Sequence, residues 1–133
     1  MLVNNEIGNI LDLDKVIDLC QKHKALFHSD TVQGIGHVLI DLKKTPIDFM
    51  AASAHKFHGP KGVGFCIVKN GLSIKPLLHG GEQEMGSRAG TENTISIAGM
   101  DQALKLAIEN FDTDHKYVLG LKTYFIEQLR KEI

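Results

Sequence analysis

The chain has 133 residues, 43% of them apolar, and its 15 basic and 16 acidic side chains are mixed along its length for a net charge of -1. That supplies one modest core and no basic patch or stripe to hold nucleic acid or an anionic membrane. Cys20 and Cys66 lack CxxC or Cys/His ligand spacing, which argues against a disulfide framework or a zinc centre and makes a reducing, cytoplasmic location the expectation.

The N-terminal Met1-Leu2-Val3 runs straight into polar Asn4-Asn5-Glu6, unlike a signal peptide, and no apolar run approaches the ~20 residues that span a bilayer. Leu13, Val16, Ile17 and Cys20 recur at helical spacing, with Asp12 and Asp14 early and Lys22, His23 and Lys24 late. This matches the helix dipole and predicts a helix over about 13–24. The short apolar run 25–30 ends in Asp30, and two glycines break the segment behind it, so it reads as a strand with a carboxylate at its carboxyl end.

A second buried-type strand is predicted over 47–53, followed by Ala54-His55-Lys56 and the glycine-rich stretch 59–64. Phe65-Cys66-Ile67-Val68 is a third strand closed by the turn signal Asn70-Gly71, and it is expected beside the lysine-bearing strand. Cys20 and Cys66 both fall in apolar patterns and are expected as small core residues. From 77 to 93 the sequence is polar and glycine-rich, too long for an ordinary connection and of the kind that carries function.

Thr94 is expected to cap a helix with apolar positions Ile97, Met100, Leu104, Ala107, Ile108 and Phe111. Thr113 opens a last helix with Tyr117, Leu121, Phe125 and Leu129 on one stripe, running to Ile133 with no stop signal, as if cut in mid-helix. Strands alternating with helices give an α/β class with a mostly parallel sheet, where ligands gather at the carboxyl ends of strands.

Asp30 and Lys56 both stand at such ends. A lysine that condenses with a cofactor aldehyde and an acid that keeps a pyridine nitrogen protonated are what pyridoxal phosphate requires. On spacing alone the same two residues read more readily as a helix cap or loop acid and a solvated surface lysine, the plainer of the two readings.

Four segments in register separate them: Val3-Asn4-Asn5-Glu6-Ile7-Gly8; His28-Ser29-Asp30-Thr31-Val32-Gln33; Ser53-Ala54-His55-Lys56-Phe57-His58-Gly59-Pro60-Lys61-Gly62; and His79-Gly80-Gly81-Glu82-Gln83-Glu84 with Arg88-Ala89-Gly90-Thr91-Glu92-Asn93. Together they resemble the cysteine desulfurases of the class V aminotransferase family, in the group that supplies sulfur for iron–sulfur clusters. The resemblance runs to about residue 110.

It implies a central piece of a longer enzyme: 1–110 as a portion of the pyridoxal-phosphate-binding large domain of fold type I, and 111–133 as the start of the C-terminal small domain, a linking helix. By the same resemblance Lys56 is the catalytic, cofactor-binding lysine, Asp30 the pyridinium partner and Gln33 a donor to the phenolic oxygen. Ser53 and His55 would hold phosphate, Asn5 would lie near the ring and the substrate carboxylate, and Thr91 would reach the phosphate of a neighbouring subunit. A homodimer with shared sites, L-cysteine as substrate, pyridoxal 5'-phosphate as cofactor and sulfur-accepting or scaffold proteins as partners follow as expectations.

Neither Cys20 nor Cys66 matches the family's persulfide-forming cysteine, and its substrate-clamping arginine and ring-stacking histidine have no counterpart, so turnover by this chain alone is not expected. His28 and His79 are as readily structural as catalytic. Other class V enzymes, such as an aminotransferase, kynureninase or selenocysteine lyase, share the lysine and the acid, and a non-catalytic interaction module would keep the fold; the long glycine-rich loop resembles the desulfurases.

Overall fold

In the computed structural model, which describes residues 1–133, helix α1 (Leu13–Lys22) begins where the Asp12 carboxylate accepts a hydrogen bond from the Lys15 backbone N–H at 3.2 Å. This satisfies one of the donors that a helix start leaves open. The helix ends before the predicted 24 because Lys24 takes a left-handed φ of 52° and turns the chain away.

Strands β1 (His28–Asp30), β2 (Phe49–Ser53) and β3 (Gly64–Val68) form a sheet in that order. The first pair is parallel and the second antiparallel. Connection lengths account for the difference: a parallel return needs a crossover of roughly a dozen or more residues, which 31–48 supplies and 54–63 does not. The fold is α/β, as expected, but the sheet is mixed rather than mostly parallel, because the return through 54–63 is too short for a crossover.

Residues opposite one another in a sheet share a face, and successive residues alternate between faces. Ser29, Met50 and Ala52 are buried on one face, which joins a core built with Ile17 of α1, Phe27, Ile35, Ile47, Ala54 and Phe57. Helix α2 (Thr94–Glu109) adds Met100, Ala103, Leu104 and Ala107 to this core. Asp30, Ala51, Ser53 and Cys66 belong to the other face, which is more open. Cys66 is thus exposed rather than a core residue, because its place in the alternation puts it opposite Ala51, away from the packed side.

The first two of the three predicted strands start earlier than the observed β1 and β2, and the reason is a side chain. The Asp48 carboxylate accepts from the Phe27 N–H at 2.9 Å and pairs with Lys69 Nζ at 3.0 Å, while Phe27 O accepts from the N–H groups of Asp48 and Phe49. The entrance to both strands is therefore an aspartate-centred knot, not a ladder. The Phe27 N–H, followed by the Lys69 ammonium, holds the Asp48 carboxyl below its ordinary value of 3.8.

Asp48→Ala strands the buried Phe27 donor, and the expected loss of stability is about 1–3 kcal/mol in urea unfolding. The folded state favours the ionised form, so Asp48's contribution is fully present above pH 3.8 and disappears as pH falls through the lower folded-state value. The urea midpoint of the alanine variant should accordingly lose that part of its acid dependence.

Asn93, not Thr94, caps α2: its carboxamide oxygen accepts from Ser96 N at 3.1 Å. Helix α3 (Phe111–Glu132) follows after Asn110 alone, two residues earlier than the expected opening at Thr113. Its stripe of Tyr117, Leu121, Phe125 and Leu129 is exposed, since little of the chain packs on α3 beyond its contact with α2. No helix is long and apolar enough to cross a membrane.

Candidate functional site

Asp30 closes β1 directly opposite Ala51 of β2, and Ser53 stands two residues further along β2, so the carboxylate and the hydroxyl project from the same face at neighbouring carboxyl ends. Thr31, completely buried, fixes this edge by donating from both its N–H (2.9 Å) and its hydroxyl (2.8 Å) to Ala51 O. One oxygen of Asp30 accepts from Val32 N at 2.9 Å, which orients the carboxylate. Gln33 lies half-buried in the turn that follows. The N-terminal segment reaches the same strand end: Leu2 N donates to Asp30 O at 2.7 Å.

Beyond Ser53 the chain makes a 3₁₀ turn, Ala54–Lys56. Ala54 N bonds Val63 O at 3.0 Å, and Phe57 N and Gly59 N both bond Ala54 O, at 3.0 and 2.8 Å. Gly59 is required, because a Cβ there would lie 2.9 Å from the Ala54 Cβ. Buried Ala54 and Phe57 flank the turn, so the backbone of half-buried Lys56 is held by its neighbours while its amine takes no part in the chain's ion pairs, which are Lys15–Asp12, Lys44–Asp41 and Lys69–Asp48. The Ser53 hydroxyl and His55 Nδ1 are 2.9 Å apart.

The remaining expected site residues are placed differently. The Asn5 carboxamide is exposed and donates to Glu6 at 2.9 Å. Thr91 is exposed and shares no hydrogen bond with the strand-end residues. Its loop turns through a 3₁₀ segment, Gln83–Gly86, and is tied back by the bond from Gly90 N to the Gln83 carboxamide at 3.0 Å. His28 and His79 are exposed.

Two cavities of about 350 and 360 Å³ lie between Phe57–His58 and helices α2 and α3, and neither is lined by Asp30 or Lys56. Sequence reasoning missed His37, whose Nε2 reaches the Lys56 carbonyl at 3.2 Å. Nothing in its sequence setting marks it, since the two residues meet only through the fold.

This donor set suits a group that carries a phosphate, an aldehyde and a basic ring nitrogen. A hydroxyl and an imidazole serve the anion, an amine outside every ion pair serves the aldehyde, and an oriented carboxylate serves the nitrogen.

A family model, Aminotransferase class-V, matches residues 1–132. The chain is 46% identical over 133 residues to a cysteine desulfurase IscS of Clostridium botulinum, a match that covers 100% of this chain and 34% of the relative. It superposes on the structure of a NifS-like protein with a TM-score of 0.94 and 39% identity, covering 98% of this chain and 36% of that one. The structure of SspA in complex with cysteine matches with a TM-score of 0.75 and 36% identity over 78% of this chain and 30% of that one. The chain therefore spans about a third of the length of the curated relatives it matches.

Proposed function

Because the chain belongs to the class-V aminotransferase family, we propose that it is the lysine-bearing segment of a pyridoxal 5'-phosphate-dependent cysteine desulfurase, which takes sulfur from L-cysteine, leaves L-alanine and passes the sulfur on as a protein persulfide for iron–sulfur cluster assembly. The observation that supports this reading is that Asp30 ends β1 while Ser53 ends β2, its parallel neighbour, and His55 and Lys56 lie in the turn that follows. Identity of 46% to a cysteine desulfurase across the whole chain supports it.

When bound, the cofactor supplies an electron sink for the substrate's α-carbon. Asp30 holds a proton at the pyridine nitrogen, its carboxylate aligned by Val32 N. Gln33 donates to the phenolic oxygen, and Ser53 and His55 donate to the phosphate. Lys56 would hold the aldehyde, and its amine, when not so engaged, would move the proton at the substrate's α-carbon. Asn5 serves the substrate carboxylate. Thr91 serves the phosphate of a second subunit in a cytoplasmic homodimer that hands sulfur to acceptor or scaffold proteins. Residues 1–110 are part of the cofactor-binding large domain, and α3, beginning just past Asn110, leads into the small domain.

Titrating the chain with pyridoxal phosphate tests this reading. The expected result is a saturable visible band of lysine-bound cofactor, and borohydride reduction followed by peptide mapping should place the label on Lys56. Labelling spread evenly over exposed lysines such as Lys22 and Lys61, without saturation, overturns the reading.

A further inference from the structure

We infer that His37 is a positioning residue whose hydrogen bond to the Lys56 carbonyl ties the loop leaving Asp30 to the turn carrying Lys56, and so sets the separation of acid and amine. This role rests on the function proposed above for those two residues. A carbonyl oxygen can only accept, so at 3.2 Å the ring nitrogen Nε2 carries the hydrogen.

The loop behind His37 is braced along its length. Thr31 O accepts from Gly34 N (2.8 Å) and Ile35 N (2.9 Å), and Gly34 O accepts from His37 N (2.9 Å) and Val38 N (2.7 Å). Gly36 lets this loop lie against the lysine turn: its φ is +81°, and a Cβ there would stand 3.1 Å from the Phe57 Cβ and 3.3 Å from the Ala107 Cβ. One continuous brace thus runs from Asp30 through Thr31 and Gly34 to His37 and across to Lys56, residues 19 apart at the crossing. The imidazole itself is exposed, so shortening it removes the tie without opening the core.

The test compares wild type, His37→Ala and His37→Gln, the last retaining a side-chain N–H donor. Without cofactor, amide exchange in the 54–59 segment should be about fivefold faster in the alanine variant, with exchange in α1 unchanged. With pyridoxal phosphate, the alanine variant should bind about five- to tenfold more weakly, and glutamine should restore both readouts in large part. An alanine variant that matches wild type in exchange and in affinity overturns the positioning role and leaves the proposed function standing. A wild-type chain that takes no lysine-bound cofactor overturns the proposed function and this role with it, whatever the exchange result. Faster exchange throughout the chain, not rescued by glutamine, also overturns the role, because it marks general destabilisation.

Discussion

Lys56→Ala is expected to abolish the lysine-bound cofactor band completely while leaving the fold intact. The effect is all-or-none because only an amine can condense with the cofactor aldehyde, and no neighbouring lysine occupies the strand-end turn. Folding should be spared because the side chain is half-exposed and absent from every ion pair, and substitutions of that kind shift stability by about 0.5 kcal/mol or less. Lys56→Arg sharpens the comparison: it keeps the positive charge at position 56 but cannot condense, so weak cofactor binding without the band is expected. Absorbance titration and circular dichroism on the same samples check both halves. A Lys56→Ala chain that keeps a saturable band would place the covalent lysine elsewhere and remove the basis of the functional reading.

Phe57→Ala should be the most damaging substitution for stability. Its ring is 1% exposed and touches the core at the point where the lysine turn, the loop through Gly36 and helix α2 meet. Emptying such a site costs about 3–5 kcal/mol, from lost transfer energy and from the cavity left behind. Only 14 of 133 residues are buried, so the loss falls on a small core, and it is comparable with the lower end of the roughly 5–15 kcal/mol that holds a domain together. Urea unfolding followed by circular dichroism should show a collapse of the midpoint, with cofactor binding lost in parallel because Phe57 anchors the turn next to Lys56. Phe57→Leu, which fills more of the space, should cost distinctly less. A change of under about 1 kcal/mol for the alanine variant would mean that the ring does not carry the packing assigned to it.

What could be read without coordinates was local or motif-borne. The 3.6-residue spacing of Leu13, Val16, Ile17 and Cys20 with acidic residues before and basic ones after located α1, because a helix's own geometry writes that pattern. The apolar runs ending in Asp30 and Ser53 located the strand ends, because strand alternation is short-range, and the resemblance of four segments in register pointed to the cofactor chemistry. The antiparallel direction of β3 against β2, the exposure of Cys66, the Asp48 bridge to Phe27 across 21 residues and the His37 tie to Lys56 across 19 were decided by tertiary structure. Each depends on which segments pack against one another once the chain has folded. A side chain's address on a helix or strand is set by its immediate neighbours, whereas its partner across the fold is set by loop length, sheet register and the space that Gly36 and Gly59 leave open.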